Sequence, residues 1–165
     1  MNSFIVSVFS VVLSALTPIL EVRGAIPLAY VAAQNENTKW LLVALAVLSN
    51  SLIPFIALEI FQFLEKVILN SSNRLMKVVA DLYSRLVGRA RKKGTKYLSK
   101  WGYLGLTVFV AIPLPMTGAW TASLIAHVFG LSKLRASLAI VIGVLIASVI
   151  VVLAMEGVIA VISLL

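Results

Sequence analysis

Hydrophobic residues fall into four long regions, which are separated by two short polar stretches and, between the second and third regions, by a long basic one. The regions are Phe4–Ala33, Trp40–Leu64, Tyr103–Phe129 and Ala136–Met155. A helix that crosses the ~30 Å hydrocarbon core of a bilayer needs about 20 residues, at 1.5 Å each. The second and fourth regions have this length without interruption, so the pattern predicts two plain membrane-spanning helices.

The third region is interrupted by AIPLPMTGAW, residues 111–120, which contains two prolines and a glycine. Proline removes a helix hydrogen bond, and hydrocarbon offers no water to replace it. The arms on either side, 103–112 and 119–129, are ten and eleven residues long. Each arm reaches roughly 15 Å, about half the hydrocarbon core, so the lengths predict a re-entrant hairpin.

The first region is interrupted in a comparable way by TPILEVRGAIP, residues 17–27. Its prolines and glycine surround two opposite charges, Glu21 and Arg23. Charges in lipid are costly and are usually kept for a cavity or a partner. The second arm, 28–34, is short enough to return to its own surface. A second hairpin is therefore predicted, with Pro27 at the first position of the returning arm.

Composition and charge place these elements in a membrane. Of the 165 residues 61% are hydrophobic, and the mean hydropathy is +1.08, which predicts an integral membrane protein with a retained N-terminal segment. The net charge is +8, and ten of the fourteen Lys and Arg residues lie between Lys66 and Lys100. The positive-inside rule assigns this stretch to the cytoplasm. It explains the cluster of basic residues better than binding of nucleic acid does, so no nucleic-acid partner is expected. A hairpin would return Lys133 and Arg135 to the same side.

The predicted fold is an all-α, multi-pass protein of the cell membrane. Two re-entrant hairpins and two full transmembrane helices form an inverted repeat, and a basic amphipathic helix over 73–90 lies on the inner leaflet. The chain is one membrane domain in three parts: 1–66 is the first hairpin and span, 67–102 the basic linker, and 103–165 the second hairpin and span. A bundle of four plain spans is the alternative.

Reactive residue types are scarce. The chain has no cysteine and one histidine, and its carboxylates have no metal-ligand spacing. No nucleophile, base and orienting group recur together, so neither an enzyme, a metal site nor a cofactor is expected.

The hairpin tips are the candidate substrate site. The returning arms begin there with free N–H groups and the positive ends of their dipoles, which attract anions. Arg23 adds a charge whose fork suits phosphate or carboxylate, Thr117 or Gly118 can cap the second arm, and Thr117 and Thr121 add hydroxyl donors. An anionic head group is the expected guest. In the alternative, Arg23 is neutralised by Glu21 and only fixes the position of the loop.

Two carboxylates are candidates for proton coupling. Glu21 and Glu59 lie in apolar surroundings, which favour the protonated form. Glu59 could instead face the interface or pair with a basic residue of the linker. His127 is read as structural, with proton relay as the alternative. Trp120 is expected to line a cavity, and Glu156 to be solvated.

The two interrupted segments, TPILEVRGAIPLA and FVAIPLPMTGAWTASLIA, resemble the small multidrug export proteins of bacteria and archaea. That family is in turn similar to the DedA and VTT superfamily, which includes lipid scramblases and polyprenyl-phosphate flippases. The resemblance implies membrane transport of a lipid or amphiphile and allows proton coupling. It places the functional residues of the family on two motifs, Glu21, Arg23, Gly24 and Pro27 in the first and Pro113, Pro115, Thr117, Gly118 and Trp120 in the second. This chain is shorter than members of the wider superfamily.

Three functions follow as hypotheses. The first is a transporter or flippase that moves an anionic, polyprenyl-phosphate-like lipid between the tips. The second is proton-driven export of cationic amphiphiles. The third is a non-transporting scaffold that recruits partners through the basic helix, at Arg85, Arg89, Arg91 and Lys92. A homodimer or other homo-oligomer is expected, because so few elements leave little protein to seal a cleft from lipid.

Overall fold

A computed structural model of the chain describes residues 2–70, 80, 84–85, 87–88, 101–114 and 116–163. Within these ranges the chain is helical, without a strand, as predicted, and has six helices of ten residues or more. They are α1 (Asn2–Leu16), α2 (Glu21–Ala32), α3 (Glu36–Leu69), α4 (Trp101–Ala111), α5 (Ala119–Val128) and α6 (Lys133–Ser163). Most of the predicted linker helix over 73–90 lies outside the described residues.

Two of the helices are long and apolar enough to cross a membrane. They are α3, with 34 residues, and α6, with 31. Asn35 precedes α3 and caps it, because its side-chain oxygen accepts a hydrogen bond from the Thr38 N–H at 2.9 Å. Both helices contain the predicted spans and extend beyond them, in keeping with a membrane protein.

α1 and α2 form a helical hairpin. The start of α1 and the end of α2 are joined by two hydrogen bonds. Ser7 Oγ donates to the Ala32 carbonyl at 3.3 Å, and Gln34 Nε2 donates to Ser3 Oγ at 2.9 Å. The inner end of α1 lies beside the middle of α3, where Asn50 Nδ2 donates to the Ala15 carbonyl at 2.7 Å. The hairpin thus begins and ends at one end of the bundle, and its turn lies about halfway along α3.

α4 and α5 form the second hairpin, which starts from the opposite end. The Ser132 N–H, just after α5, donates to the Tyr103 hydroxyl near the start of α4 at 3.2 Å. Thr107 Oγ1 donates to the Ala139 carbonyl at 2.9 Å and so fixes α4 against the first half of α6. The helix bounds lie within two residues of the predicted arms.

The ends of the bundle can be named by their residues. At the Lys39 end, where α1 and α3 start, Lys39 Nζ lies 3.0 Å from a carboxylate oxygen of Glu156, towards the end of α6. At the His127 end, where α3 and α5 finish, Lys133 at the start of α6 lies 2.6 Å from a carboxylate oxygen of Glu59. The elements α1–α3 and α4–α6 therefore start from opposite ends.

The predicted position of Pro27 is wrong. α2 starts at Glu21, so Pro27 lies inside the helix rather than at its first position. The proline costs the helix one hydrogen bond, to the Arg23 carbonyl. The turns before it bury Val22, Ala25 and Ile26 almost completely in the core, and this burial explains why the helix starts earlier than proline placement suggested.

Small side chains let the hairpins approach the long helices closely. Alanines that are fully buried occur on five of the six helices, a pattern typical of helix packing in membranes. They are Ala15, Ala25, Ala29, Ala46, Ala57, Ala119, Ala122, Ala126, Ala136 and Ala147. This packing holds the two hairpin turns at the centre of the bundle.

Candidate functional site

The two interrupted segments meet at the centre of the bundle. Glu21 and Arg23 from the first segment make hydrogen bonds to both ends of the second turn, at the end of α4 and the start of α5. We call Glu21, Arg23, Thr117, Gly118 and Trp120 the tip cluster. The sequence prediction that the second turn faces the first hairpin agrees with these contacts.

The Glu21 carboxylate lies on the N-terminus of α5. Oε2 accepts a hydrogen bond from the Ala119 N–H at 3.1 Å, and Oε1 accepts one from the Trp120 N–H at 3.2 Å. The first N–H groups of a helix have no partner within the helix, and the helix dipole places partial positive charge there. Glu21 therefore fills the position that the sequence assigned to an anionic guest.

Gly118 makes this approach possible. It is the N-cap residue of α5 and forms no side-chain cap of its own. A β-carbon at residue 118 would overlap the carboxylate of Glu21. Only glycine at position 118 leaves room for the Glu21 carboxylate to reach the first N–H groups of α5.

Arg23 joins Glu21 to the C-terminus of α4. Its NH1 donates to Glu21 Oε2 at 2.9 Å, and its NH2 lies within hydrogen-bond distance of the carbonyls of Val110 at 3.0 Å and Ile112 at 3.2 Å. NH2 also lies 3.1 Å from Thr117 Oγ1. A cation at the negative end of a helix dipole is favourable, so the ion pair holds opposite charges against the two facing helix ends.

Burial makes this ion pair costly to separate. Glu21 is 3% exposed, and the Arg23 Nε is buried without a hydrogen-bond partner in the described structure. Glu21 also has a φ of 48°, a left-handed conformation that is rare for residues other than glycine and asparagine. Strain and burial of this kind concentrate at functional sites.

The C-terminus of α1 is capped by two side chains from elsewhere in the bundle. Trp120 Nε1 donates to the Leu16 carbonyl at 3.0 Å, and Asn50 Nδ2 donates to the Ala15 carbonyl. Trp120 therefore serves both hairpins, because its backbone N–H binds Glu21 and its indole N–H binds α1. Asn50 is completely buried, and its Oδ1 has no hydrogen-bond partner in the described structure.

The other predicted site residues lie around the cluster. Gly24 lies in the first turn of α2, where a β-carbon would be only 2.8 Å from the Leu20 β-carbon, so glycine leaves room for the Leu20 side chain. Pro113 is exposed in the loop after α4, and Thr121 is half-buried in the first turn of α5. Pro115 lies outside the described residues.

Glu59 lies apart from the tip cluster. It pairs with Lys133 at the His127 end, and both side chains are substantially exposed. The predicted alternative of a salt bridge therefore has the right chemistry, although the partner starts α6 rather than lying in the linker.

A second buried pair was missed by sequence reasoning. His127 Nε2 lies 3.2 Å from Glu65 Oε2, and both side chains are largely buried. The pair lines an open cleft of about 490 Å³, and the α3 wall of this cleft is formed by Leu58, Gln62, Glu65, Lys66 and Leu69. Of the polar residues of this wall, Glu65 and Lys66 follow Gln62 by three and four positions and therefore share one face of α3 with it. This polar face was the signal that could have revealed Glu65.

The sequence predicts that Glu156 is solvated, but its carboxylate also contacts two other side chains. Its Oε1 accepts a hydrogen bond from the Tyr30 hydroxyl at 2.7 Å and lies 3.0 Å from Lys39 Nζ. Lys39 also pairs with Glu36 at 2.8 Å and lies over the rings of Tyr30 and Trp40, 5.0 and 4.9 Å from their centroids. This network ties α2, α3 and α6 together at the Lys39 end.

The described ranges contain no group of three or more His, Cys, Asp or Glu residues that could hold a metal ion. The tip cluster itself consists of an ion pair that contacts two helix ends.

Comparison with known proteins adds one finding. The model of the family described as "Putative small multi-drug export protein" matches residues 21–150, which include the whole tip cluster. Neither the curated proteins nor the solved structures contain a match.

Proposed function

We propose that this chain, which belongs to the small multi-drug export protein family, is a membrane transporter whose substrate passes between its two helical hairpins. The observation that carries the proposal is the position of Glu21, whose carboxylate fills a helix N-terminus that would otherwise be open to an anion. A transporter needs a contact at the centre of the bundle that can be made and broken, and the tip cluster has the chemistry of such a contact.

The proposed topology is that of two re-entrant hairpins and two spans in an inverted repeat. It is supported by the opposite starting ends of the two halves and by the turns that lie beside the middle of α3. Broken helices that meet near the midplane are typical of transporters with such repeats. The His127 end, from which the basic linker departs, would then face the cytoplasm.

The proposed substrate is an anionic lipid head group of the polyprenyl-phosphate type. A phosphate oxygen offers the same acceptor chemistry as the Glu21 carboxylate, and it could take the place of Glu21 against the N–H groups of Ala119 and Trp120. Arg23 would supply a second, charge-assisted hydrogen bond. This substrate class is also the one that the sequence resemblance of the two motifs to the DedA and VTT superfamily implies.

In this mechanism Glu21 is an internal ligand that the substrate displaces. While Glu21 binds the N-terminus of α5, the two hairpins are held together and the substrate path between them is closed. When the head group replaces the carboxylate, the link between the hairpins is broken and the tips can separate. Uptake of a proton by the displaced carboxylate is the proposed route to proton coupling.

Translocation of a phosphate-headed lipid by protein in liposomes tests the proposal. Arg23→Gln should lower the initial rate at least tenfold, while Arg135→Gln, which changes an exposed arginine near the start of α6, should leave it unchanged. Arg23→Lys keeps the charge and should retain part of the rate. Wild-type and Arg23→Gln proteins with equal rates would remove the anion site.

A second candidate is proton-driven export of a cationic amphiphile, since the family description names multi-drug export. Here a lipophilic cation would take the place of Arg23 beside Glu21, and Glu21 would exchange it for a proton. Addition of tetraphenylphosphonium to proteoliposomes should then release protons, and Glu21→Gln should abolish the release, whereas Glu36→Gln at the Lys39 end should not. Absence of release from the wild-type protein would exclude this candidate.

A homodimer is part of the proposal. Ile19 is 87% and Met116 is 81% exposed, and both lie on the turns that carry the tip cluster. A second copy could cover these side chains and seal the cleft from lipid. Because the chain has no cysteine, cross-linking of single Ile19→Cys protein in membranes tests this arrangement, with Leu153→Cys, an exposed position on α6, as the control.

A further inference from the structure

α5 is held by a carboxylate near each of its two ends. At the start of this ten-residue helix, the N–H groups of Ala119 and Trp120 bind Glu21. In its last turn, His127 Nε2 lies 3.2 Å from Glu65 Oε2. The first carboxylate comes from the start of α2 and the second from the last turns of α3. A movement of α5 away from the bundle would have to break both contacts.

The two contacts share a neighbour. Phe61 of α3 packs with its ring edge-on to Trp120, at a centroid distance of 6.5 Å and an angle of 75°. The same ring lies 6.1 Å from the imidazole of His127. Packed side chains transmit small displacements because interiors have few voids. A shift of His127 is therefore expected to displace Phe61, and through it Trp120, whose two N–H groups belong to the tip cluster.

The strength of the second contact depends on a proton. A neutral imidazole can donate one hydrogen bond from Nε2 to Glu65, whereas an imidazolium adds a positive charge that attracts the carboxylate. Histidine changes its charge between about pH 5 and 8. The ring lines the open cleft at the His127 end, so protons can reach it from that side without crossing the bundle.

Charged side chains of the described residues surround His127. The described charged groups that face the same cleft are Glu65 and Lys66 of α3 and Lys133 of α6. Lys133 is balanced by Glu59 at 2.6 Å. Glu65 is the carboxylate in contact with the ring, and it favours the protonated form of His127.

We infer that His127 and Glu65 form a proton-sensitive latch that holds α5 in the closed position. Protonation of His127 closes the latch and deprotonation loosens it, so a low pH at the His127 end slows opening of the tip cluster. The inference rests on the proposed transport function, and it assigns proton sensitivity to His127 and Glu65 rather than to Glu59. His127 is a positioning residue in this scheme, because it acts on the tips through α5 and Phe61.

Nuclear magnetic resonance of the imidazole tests the latch without any transport. Because His127 is the only histidine, protein labelled at histidine and held in lipid nanodiscs gives one titration curve. Glu65→Gln should lower its midpoint by about one pH unit or more. Glu36→Gln removes a carboxylate at the opposite end of α3 and should leave the midpoint unchanged. A midpoint that does not move in Glu65→Gln would overturn the inference.

Transport of a fluorescent, phosphate-headed lipid in liposomes provides the second arm. At pH 5.5 the His127→Gln variant should translocate the lipid several-fold faster than the wild type, because only the wild type closes the latch at low pH. At pH 8 the ratio of the two rates should be near one. The ratio cancels the titration of the lipid phosphate itself. A flat ratio with active wild-type protein would overturn the latch and leave the transport function standing. No translocation by any variant would overturn the transport function, and the imidazole titration would still decide the pair.

Discussion

The carboxylate of Glu21 occupies the space that a β-carbon on Gly118 would fill. This relationship joins the start of α2 to the start of α5, two helices whose first residues are separated by almost a hundred positions in the chain. It gives one glycine a defined role, which is to admit a carboxylate to the N-terminus of a helix, and it can be tested directly.

Gly118→Ala should destabilise the protein. The added methyl group forces Glu21 off the N–H groups of Ala119 and Trp120 and leaves them without that partner, at a cost of about 2–4 kcal/mol. Gly105→Ala is the matched control, because a β-carbon there meets nothing within 4 Å and alanine favours a helix by about 1 kcal/mol. Unfolding in mixed micelles measures both, and equal stabilities of the two variants would contradict the contact.

The ion pair predicts strong coupling between Glu21 and Arg23. Each single change, Glu21→Gln or Arg23→Gln, leaves a buried charge with less compensation and should cost about 3 kcal/mol. The double variant should cost less than the sum of the two by at least about 1 kcal/mol. The free energies of unfolding of the four proteins complete the cycle, and additive effects would mean that the two charges do not stabilise each other.

Trp120 is expected to stabilise the protein through its indole N–H. Trp120→Phe keeps most of the ring but leaves the Leu16 carbonyl without its donor, which should cost about 1 kcal/mol. Trp101→Phe changes a side chain that is 66% exposed and should have almost no effect. If both variants unfold like the wild type, the cap on α1 contributes nothing.

Labelling from the two sides of the membrane tests the hairpin topology. Single cysteines at Ser132 and Asn70 lie at the His127 end, and one at Asn37 lies at the Lys39 end; all three positions are exposed. Ser132→Cys and Asn70→Cys should react from the same side, and Asn37→Cys from the other. Four plain spans would instead place residue 132 opposite residue 70.

The sequence predicted where the helices break but not what fills the breaks. Proline, glycine and charge act locally, so the arms around 113–118 were placed within two residues. The partner of Glu21 depends on how α2 and α5 pack, and this long-range contact has no local signal. Pro27 was misplaced because burial of Val22 and Ile26 outweighs one lost hydrogen bond. Glu65 was missed because its partner, His127, follows it by more than sixty residues.

The central claim is that Glu21 holds the place of an anionic head group. Binding of a phosphate-headed lipid to protein in nanodiscs tests it most directly, with Glu21→Gln, Arg23→Gln and the exposed control Arg135→Gln compared with the wild type. The account predicts that Glu21→Gln binds the lipid several-fold more tightly because the internal competitor has lost its charge, that Arg23→Gln binds it at least tenfold more weakly, and that Arg135→Gln is unchanged. Equal affinities in all four proteins would contradict the claim.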